Sequence, residues 1–193
     1  MNSFDILKQV ISSRRTTKPA AMNGRRIDDT IIHELLQLAD WAPTHALTEP
    51  WRFIVYSGAS FQQFCRDHAD MYQSITPAEK FNQAKYDNMK RIAHTASHLL
   101  LVYMKRTANA KIPASEEFAA VAAATEHLLL GAHATGIAAM WSTAGATHHD
   151  VMKAYLGLQQ EDTVAGLIYL GYCDEISKEG KRNVPLSEKT TWK

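Results

Sequence analysis

Residues 118–141, FAAVAAATEHLLLGAHATGIAAMW, decide the fold because the stretch admits two incompatible readings. Its apolar length suits a membrane span, which needs about 20 residues. Glu126, His127 and His133 interrupt it, however, and a charged side chain at the centre of a membrane helix costs about 2.5 kcal/mol or more. The stretch therefore reads as a buried helix of a soluble protein. The helix opens at Ser115 with a capping signature, carries Glu116 and Glu117 in its first turn, and closes at Gly136 as a C-cap. A strand, GIAAMWST, follows.

Outward from this helix the chain alternates helices and strands with no linker-like break. Upstream, Phe4, Leu7, Val10 and Ile11 share one face of a short first helix that stops before Arg14. Asp28 or Asp29 caps a second helix with an apolar stripe of Ile31, Ile32, Leu35, Leu36 and Ala39, ending before Pro43. APTHALTEP is then a loop. WRFIVYSG and SHLLLVYM read as buried strands, with helix between and after them. Downstream, THHD at Thr147 to Asp150 reads as a helix cap with surface histidines, HHDVMKAYLG as a helix, and TVAGLIYLGYC as the last strand. The polar tail ends near Trp192. On a lone domain such a tail frays, whereas a terminal Trp also suits an arm that packs on another subunit.

Composition bounds the class. The 193 residues suffice for one domain with a sizeable core, and 46% hydrophobic with 21% charged residues is ordinary for a globular chain. Lys and Arg number 21 against 20 Asp and Glu, so no long-range field exists to hold a nucleic acid or an anionic membrane. Cys65 and Cys173 are far apart and lack a CxxC partner, which suggests neither a disulfide framework nor a thiolate zinc site. The N-terminal MNSFDILKQVIS lacks the apolar run of a signal peptide, and the cytoplasm is the expected compartment.

Several chemistries find no support. No GxGxxG or GxxxxGK[ST] loop is present. His94 and His98 stand at i,i+4, but Thr95 occupies the place where a zinc protease needs glutamate, so no metal is expected. No GxSxG elbow occurs, and Cys65 has no assignable base. One local anomaly remains: Arg14, Arg15 and Lys18 lie within ISSRRTTKP, where three nearby cations repel unless water screens them or an anion sits among them. Alone, they read as a helix end whose cations offset the C-terminal dipole.

Other motifs change that reading. In order along the chain stand Arg14, Thr16 and Lys18 (R-x-[ST]-x-[KR]), Ala42, Pro43 and Thr44 (A-P-[ST]), Pro50 to Phe53 (P-W-[RHK]-F), a long helix closed by Gly136, Trp141 on the next strand, and LGY before a polar tail. Their order and spacing resemble the nitroreductase-like FMN-dependent oxidoreductases. The RR[ST] start, His45 after the proline, and NVP at Asn183 to Pro185 are similar to the small single-domain members.

The resemblance implies an α+β fold with a mixed, largely antiparallel sheet flanked by helices, forming an intertwined homodimer. It implies a single domain over residues 1–193, with residues 174–193 as an arm on the partner subunit. It implies non-covalent FMN at the subunit interface and NADH or NADPH as reductant. Hydride would pass through flavin N5 to a nitroaromatic, quinone or enone in a ping-pong cycle, with no side chain as catalyst. Arg14, Arg15 and Thr16 would hold phosphate and ribityl groups, as a guanidinium fork suits a phosphate, and Lys18 would lie near the ring. Thr44 and His45 would reach the partner's flavin. Trp141, Ser142 and Thr143 would lie along the ring edge, and Arg182 would add a phosphate contact. Departures are Trp41, where small members carry arginine, and Leu47 and Glu49, where larger relatives carry Asn and Gln; Glu49 is expected to face away from the flavin. The alternatives are a flavin-binding sensor or carrier without turnover, and a helical ligand-binding domain without flavin.

Overall fold

The computed structural model describes residues 2–108, 111–175 and 179–193. Among them four strands, β1 (Trp51–Ser57), β2 (His98–Met104), β3 (Ala138–Ser142) and β4 (Thr163–Gly171), form one sheet in the order β1-β2-β4-β3. Every pairing of these strands is antiparallel. The parallel element of the expected mixed sheet is a single bridge, Thr16 to Ala139, at the edge of β3. The helices are α1 (Ser3–Ser13), α2 (Asp29–Asp40), α3 (Gly58–Ile75), α4 (Gln83–Arg91), α5 (Ala114–Ala134) and α6 (Asp150–Leu156).

The central strands explain the layering. β2 and β4 are buried along nearly their whole length, so their sequences run apolar on both faces. Leu100, Val102, Met104, Ile168 and Leu170 face a core closed by α2 and α5. Leu99, Leu101, Leu167 and Tyr169 face a second core that includes Phe61, Phe64 and Cys65 of α3 and Met152 of α6. The molecule is thus three layers, helices on each side of one sheet.

Helix α5 is apolar nearly all round because it packs on the sheet with one side and on α2 with another. Gly131 sets the spacing to α2, since a Cβ there would sit 2.6 Å from Leu38 Cδ1. The alanines of α5 lie on different sides: Ala120 and Ala124 are buried within the chain, while Ala119 is exposed. The polar residues that break the apolar run hold the end of α1. Arg14 Nε lies 3.4 Å from Glu126, and Ser13 Oγ, whose proton goes to Gln9 O at 2.6 Å, accepts from His133 Nε2 at 2.7 Å. Burial, with Arg14 and Arg15 nearby, keeps His133 below its ordinary pKa.

Two caps differ from expectation. Pro113, extended at φ −60°, takes the N-cap of α5, and its carbonyl accepts the Glu116 and Glu117 N–H groups, so the helix starts before Ser115. At α6 the N-cap is His149 without a side-chain bond, because buried Thr147 turns its hydroxyl back to the Ala144 carbonyl at 2.5 Å. At the other helix ends the expectation holds. Asp28 caps α2, accepting from Thr30 N–H at 2.9 Å. Past α5, Gly136 at φ +74° closes the helix while Ile137 N–H reaches Ala132 O at 2.8 Å, the paired bonds of a Schellman end.

Trp141 ties β3 to β4. Its indole Nε1 donates to Ala165 O at 3.1 Å, and the ring lies over Gly166, where a Cβ would fall 2.2 Å from Nε1. No side chain fits there. Gly166→Ala is expected to lower stability by about 1–3 kcal/mol through overpacking, read as a drop in thermal midpoint with unchanged circular dichroism at low temperature.

Candidate functional site

The segment that leaves α1 runs to the edge of β3. Thr17 N–H donates to Ala139 O at 2.9 Å, and this pairing carries Lys18 to the end of a cleft of about 760 Å³. Alternation along β3 puts Met140 and Ser142 on the cleft side, while Ala139 and Trp141 face the α2–α5 core. Pro19, Met89, Ile92 and Tyr169 supply apolar walls. Lys18, Lys85 and Arg91 bring positive charge, and no carboxylate lines the cleft. A cleft of this size and character suits a planar, anionic ligand.

Of the expected site residues, Lys18 and Ser142 line this cleft. Arg14 stands beside it in sequence, half-buried and paired with Glu126. Arg15 turns back, with Nη1 donating to the Ser12 and Arg14 carbonyls at 2.7 and 2.8 Å, which is the helix-end role of a cation. Its guanidinium also lies against Gly180, where a Cβ would fall 2.3 Å from Cζ. Thr16 is exposed at the bridge to Ala139. Trp141 does not line the cleft; its side chain packs against the α2–α5 core. Thr143 and Arg182 are exposed, and Arg182 Nη1 donates to the Lys181 carbonyl at 3.2 Å.

Thr44 and His45 do not line this cleft. They belong to a loop with three non-glycine residues at positive φ: Ala46 (51°), Leu47 (54°) and Glu49 (43°). Each left-handed residue costs roughly 1–2 kcal/mol, so the loop is held in a shape it would not take alone. Thr44 Oγ1 lies 2.9 Å from Thr48 Oγ1 and accepts from Glu49 N–H, while His45 Nδ1 meets Glu116 at 2.6 Å. Glu49 is exposed and, like Trp41, is not part of the cleft wall.

Helix α4 supplies a wall that the sequence analysis did not assign. Asn82, Lys85, Asn88 and Arg91 recur every three residues and line the cleft together. Lys85 Nζ sits 4.2 Å above the Tyr72 ring, and Arg91 Nη2 donates to Asn88 Oδ1 at 3.2 Å. Their signal in the sequence is a period of polar residues, which apolar periodicity does not mark. The described residues contain no cluster of His, Cys, Asp or Glu arranged to hold a metal ion, and His94 and His98 do not share a helix: His98 begins β2 and donates to Asp29.

A buried polar group of the cleft is His68, from α3. It is 4% exposed, and its Nε2 accepts the Ala146 N–H at 3.1 Å. Burial, reinforced by the Lys85 charge, depresses its pKa from 6.5 to about 4. The unfolded chain then binds a proton that the folded chain refuses, so the contribution is complete above pH 6.5 and is lost as pH falls toward 4. Between pH 7 and pH 4 the wild type should lose on the order of 3 kcal/mol relative to His68→Gln, read by denaturant unfolding of both proteins at each pH.

The Nitroreductase family model matches residues 11–172 of this chain. YfhC of Bacillus subtilis (strain 168), provisionally named an NAD(P)H nitroreductase, is 25% identical over 193 residues, covering 99% of this chain and 96% of its own. Among solved structures, a nitroreductase-like family protein from Bacillus cereus is similar with a TM-score of 0.80 at 22% identity, over 100% of this chain and 98% of that one. The FMN-dependent nitroreductase NfnB from Mycobacterium smegmatis, crystallised with NADPH, is similar with a TM-score of 0.74 at 16% identity, over 100% of both chains. With an α+β sandwich, a basic turn after α1 and a cation-lined cleft beside β3, the chain belongs to the nitroreductase family.

Proposed function

We propose that this chain is an FMN-dependent oxidoreductase that transfers hydride from NADH or NADPH to a small nitroaromatic, quinone or enone acceptor in a ping-pong cycle. The observation that carries it is the pairing of Thr16 and Thr17 with Ala139, which delivers Lys18 to the same cleft as Ser142. FMN fits the donor set: cations without a carboxylate suit its phosphate and the electron-rich pyrimidine edge, and Met89, Ile92 and Met140 suit its ring faces. When bound, the flavin supplies the hydride chemistry at N5.

The side chains bind and orient. Arg14, released from Glu126, and Arg15 would hold the phosphate with Thr16, while Arg182 would add a tail contact. Lys18 would place positive charge at the ring edge. Trp141, Ser142 and Thr143 would offer backbone donors along the ring. Thr44 and His45, on the strained loop, would reach the cleft of a partner subunit.

A homodimer is supported by what the single chain leaves open. Helix α1 buries no residue, and Phe4, Leu7 and Ile11 are exposed. An apolar groove of about 550 Å³ lies between α1, α2 and α5, rimmed by Trp41 at 85% exposure. The chain is read as one domain over 1–193 with 174–193 as the partner-bound arm. Residues 1, 109–110 and 176–178 lie outside the described residues; residues 181–193 are exposed, with Trp192 at 94%. Free thiols at Cys65 and Cys173 fit the cytoplasm, and no described helix is long and apolar enough to cross a membrane.

The function is tested on the purified protein by its flavin spectrum, by identifying the heat-released cofactor, and by NAD(P)H oxidation with a nitroaromatic acceptor. FMN with turnover is expected; FMN without turnover favours the sensor or carrier reading, and no flavin rejects both. In apo protein, Arg14→Ala should weaken FMN binding about ten- to hundredfold with folding retained, and Arg14→Lys should recover part of it. Equal affinities would remove the phosphate role. Light scattering should give a dimer at micromolar protein, and truncation after Asp174 should lower stability sharply, since an obligate dimer has no stable lone monomer.

A further inference from the structure

We propose that His68 is a positioning residue for the cofactor, acting through the Ala144–Gly145–Ala146 segment that closes the cleft-facing end of β3. The inference rests on the proposed FMN role of the cleft and adds a residue to which that role assigns nothing. His68 comes from α3, beneath the cleft, and lies on no motif of the basic turn or the strained loop.

The segment is clamped on three sides. From below, His68 Nε2 accepts the Ala146 N–H at 3.1 Å. From β3, Ser142 Oγ accepts the Ala144 N–H at 3.3 Å, and from the far side Thr147 Oγ1, fully buried, donates to the Ala144 carbonyl at 2.5 Å. Between these contacts Gly145 adopts φ +68°, and a Cβ there would stand 2.7 Å from His68 Nε2 and 2.9 Å from Met89 Cε. The turn therefore has no room to slide over the imidazole. The ring itself is fixed by Phe64, 5.5 Å away between centroids. Because an N–H points at Nε2, that nitrogen carries no proton, and the imidazole works as a neutral acceptor.

This matters to the cleft because Ser142 and Ala144 line it with Lys18. Backbone dipoles act on a bound ligand only if they are held in place before it arrives. A buried strut that fixes the turn therefore sets both the affinity of the cleft and the electrostatic preference of the ligand it holds. A side chain that merely filled the volume would do neither.

The experiment compares wild type with His68→Leu, His68→Gln and Gly145→Ala as apo proteins titrated with FMN, followed by midpoint potentials of the loaded forms. His68→Leu keeps volume but strands the Ala146 N–H, and should bind FMN about tenfold more weakly. Its potential should move negative, by about 30 mV for each tenfold loss of preference for the reduced form. His68→Gln restores an acceptor and should return most of both. Gly145→Ala should resemble His68→Leu, and it carries the test if His68→Leu does not fold. Wild-type affinity and potential in every folded variant overturn the role of His68. A wild type that binds no FMN overturns the flavin reading of the cleft, and this inference with it.

Discussion

The placement of α5 between the sheet and α2 is the constraint on which the rest of the structure depends. Helix α5 presents almost no polar surface to either neighbour, so it has one stable location, and Gly131 against Leu38 fixes its distance from α2. The polar groups it does carry cannot be buried unpaired. Glu117, which is buried, is accordingly paired with Arg106, and the partly exposed Glu126 and His133 meet Arg14 and Ser13 where α1 ends. From that point the chain has only to pair Thr16 with Ala139 to reach the cleft. Core packing and site placement are one chain of consequences here.

The same placement leaves the chain unfinished on its outer side. An amphipathic helix such as α1 is stable when its apolar face is covered, yet its larger side chains lie open beside Trp41. The loop at Ala46, Leu47 and Glu49 stores backbone strain, held by the Thr48 N–H bond to His45 O and by side-chain tethers. Exposed apolar surface and stored strain are each unfavourable in a lone chain. Both would be resolved in the proposed homodimer, where another copy would cover the face and the loop would meet a partner's cleft.

Much of this architecture was legible in the sequence. The central helix, its glycine stop, the four strands and the first two helices follow from apolar periodicity and turn residues. The basic turn was legible as an electrostatic anomaly before any site was visible. The caps of α5 and α6 were not, because Pro113 and His149 cap through the backbone, and Thr147 satisfies its hydroxyl locally. The cleft wall on α4 was missed because Asn82, Lys85, Asn88 and Arg91 form a polar period, which ordinarily marks a solvated face. Arg15 shows how far sequence reaches: it is part of the motif, yet in the single chain it serves the helix end. His68 could not be found from sequence at all. Its acceptor role depends on a turn nearly eighty residues away, |i−j| = 78, brought beneath it by the sheet.

Charge completes the argument. Protein-wide, cations and anions nearly cancel, so the positive character of the cleft is a matter of arrangement. Lys18 comes from the basic turn and Lys85 and Arg91 from α4, while Glu126 pairs with Arg14, and Asp29 with Arg26 and His98, outside the cleft wall. Lys85 has a further effect, as its charge helps keep His68 neutral and hence an acceptor. In the proposed function these groups bind and orient rather than exchange protons with a substrate. The site holds a ligand by fixed positive charge and fixed backbone dipoles, the arrangement suited to a bound group that carries the reaction itself.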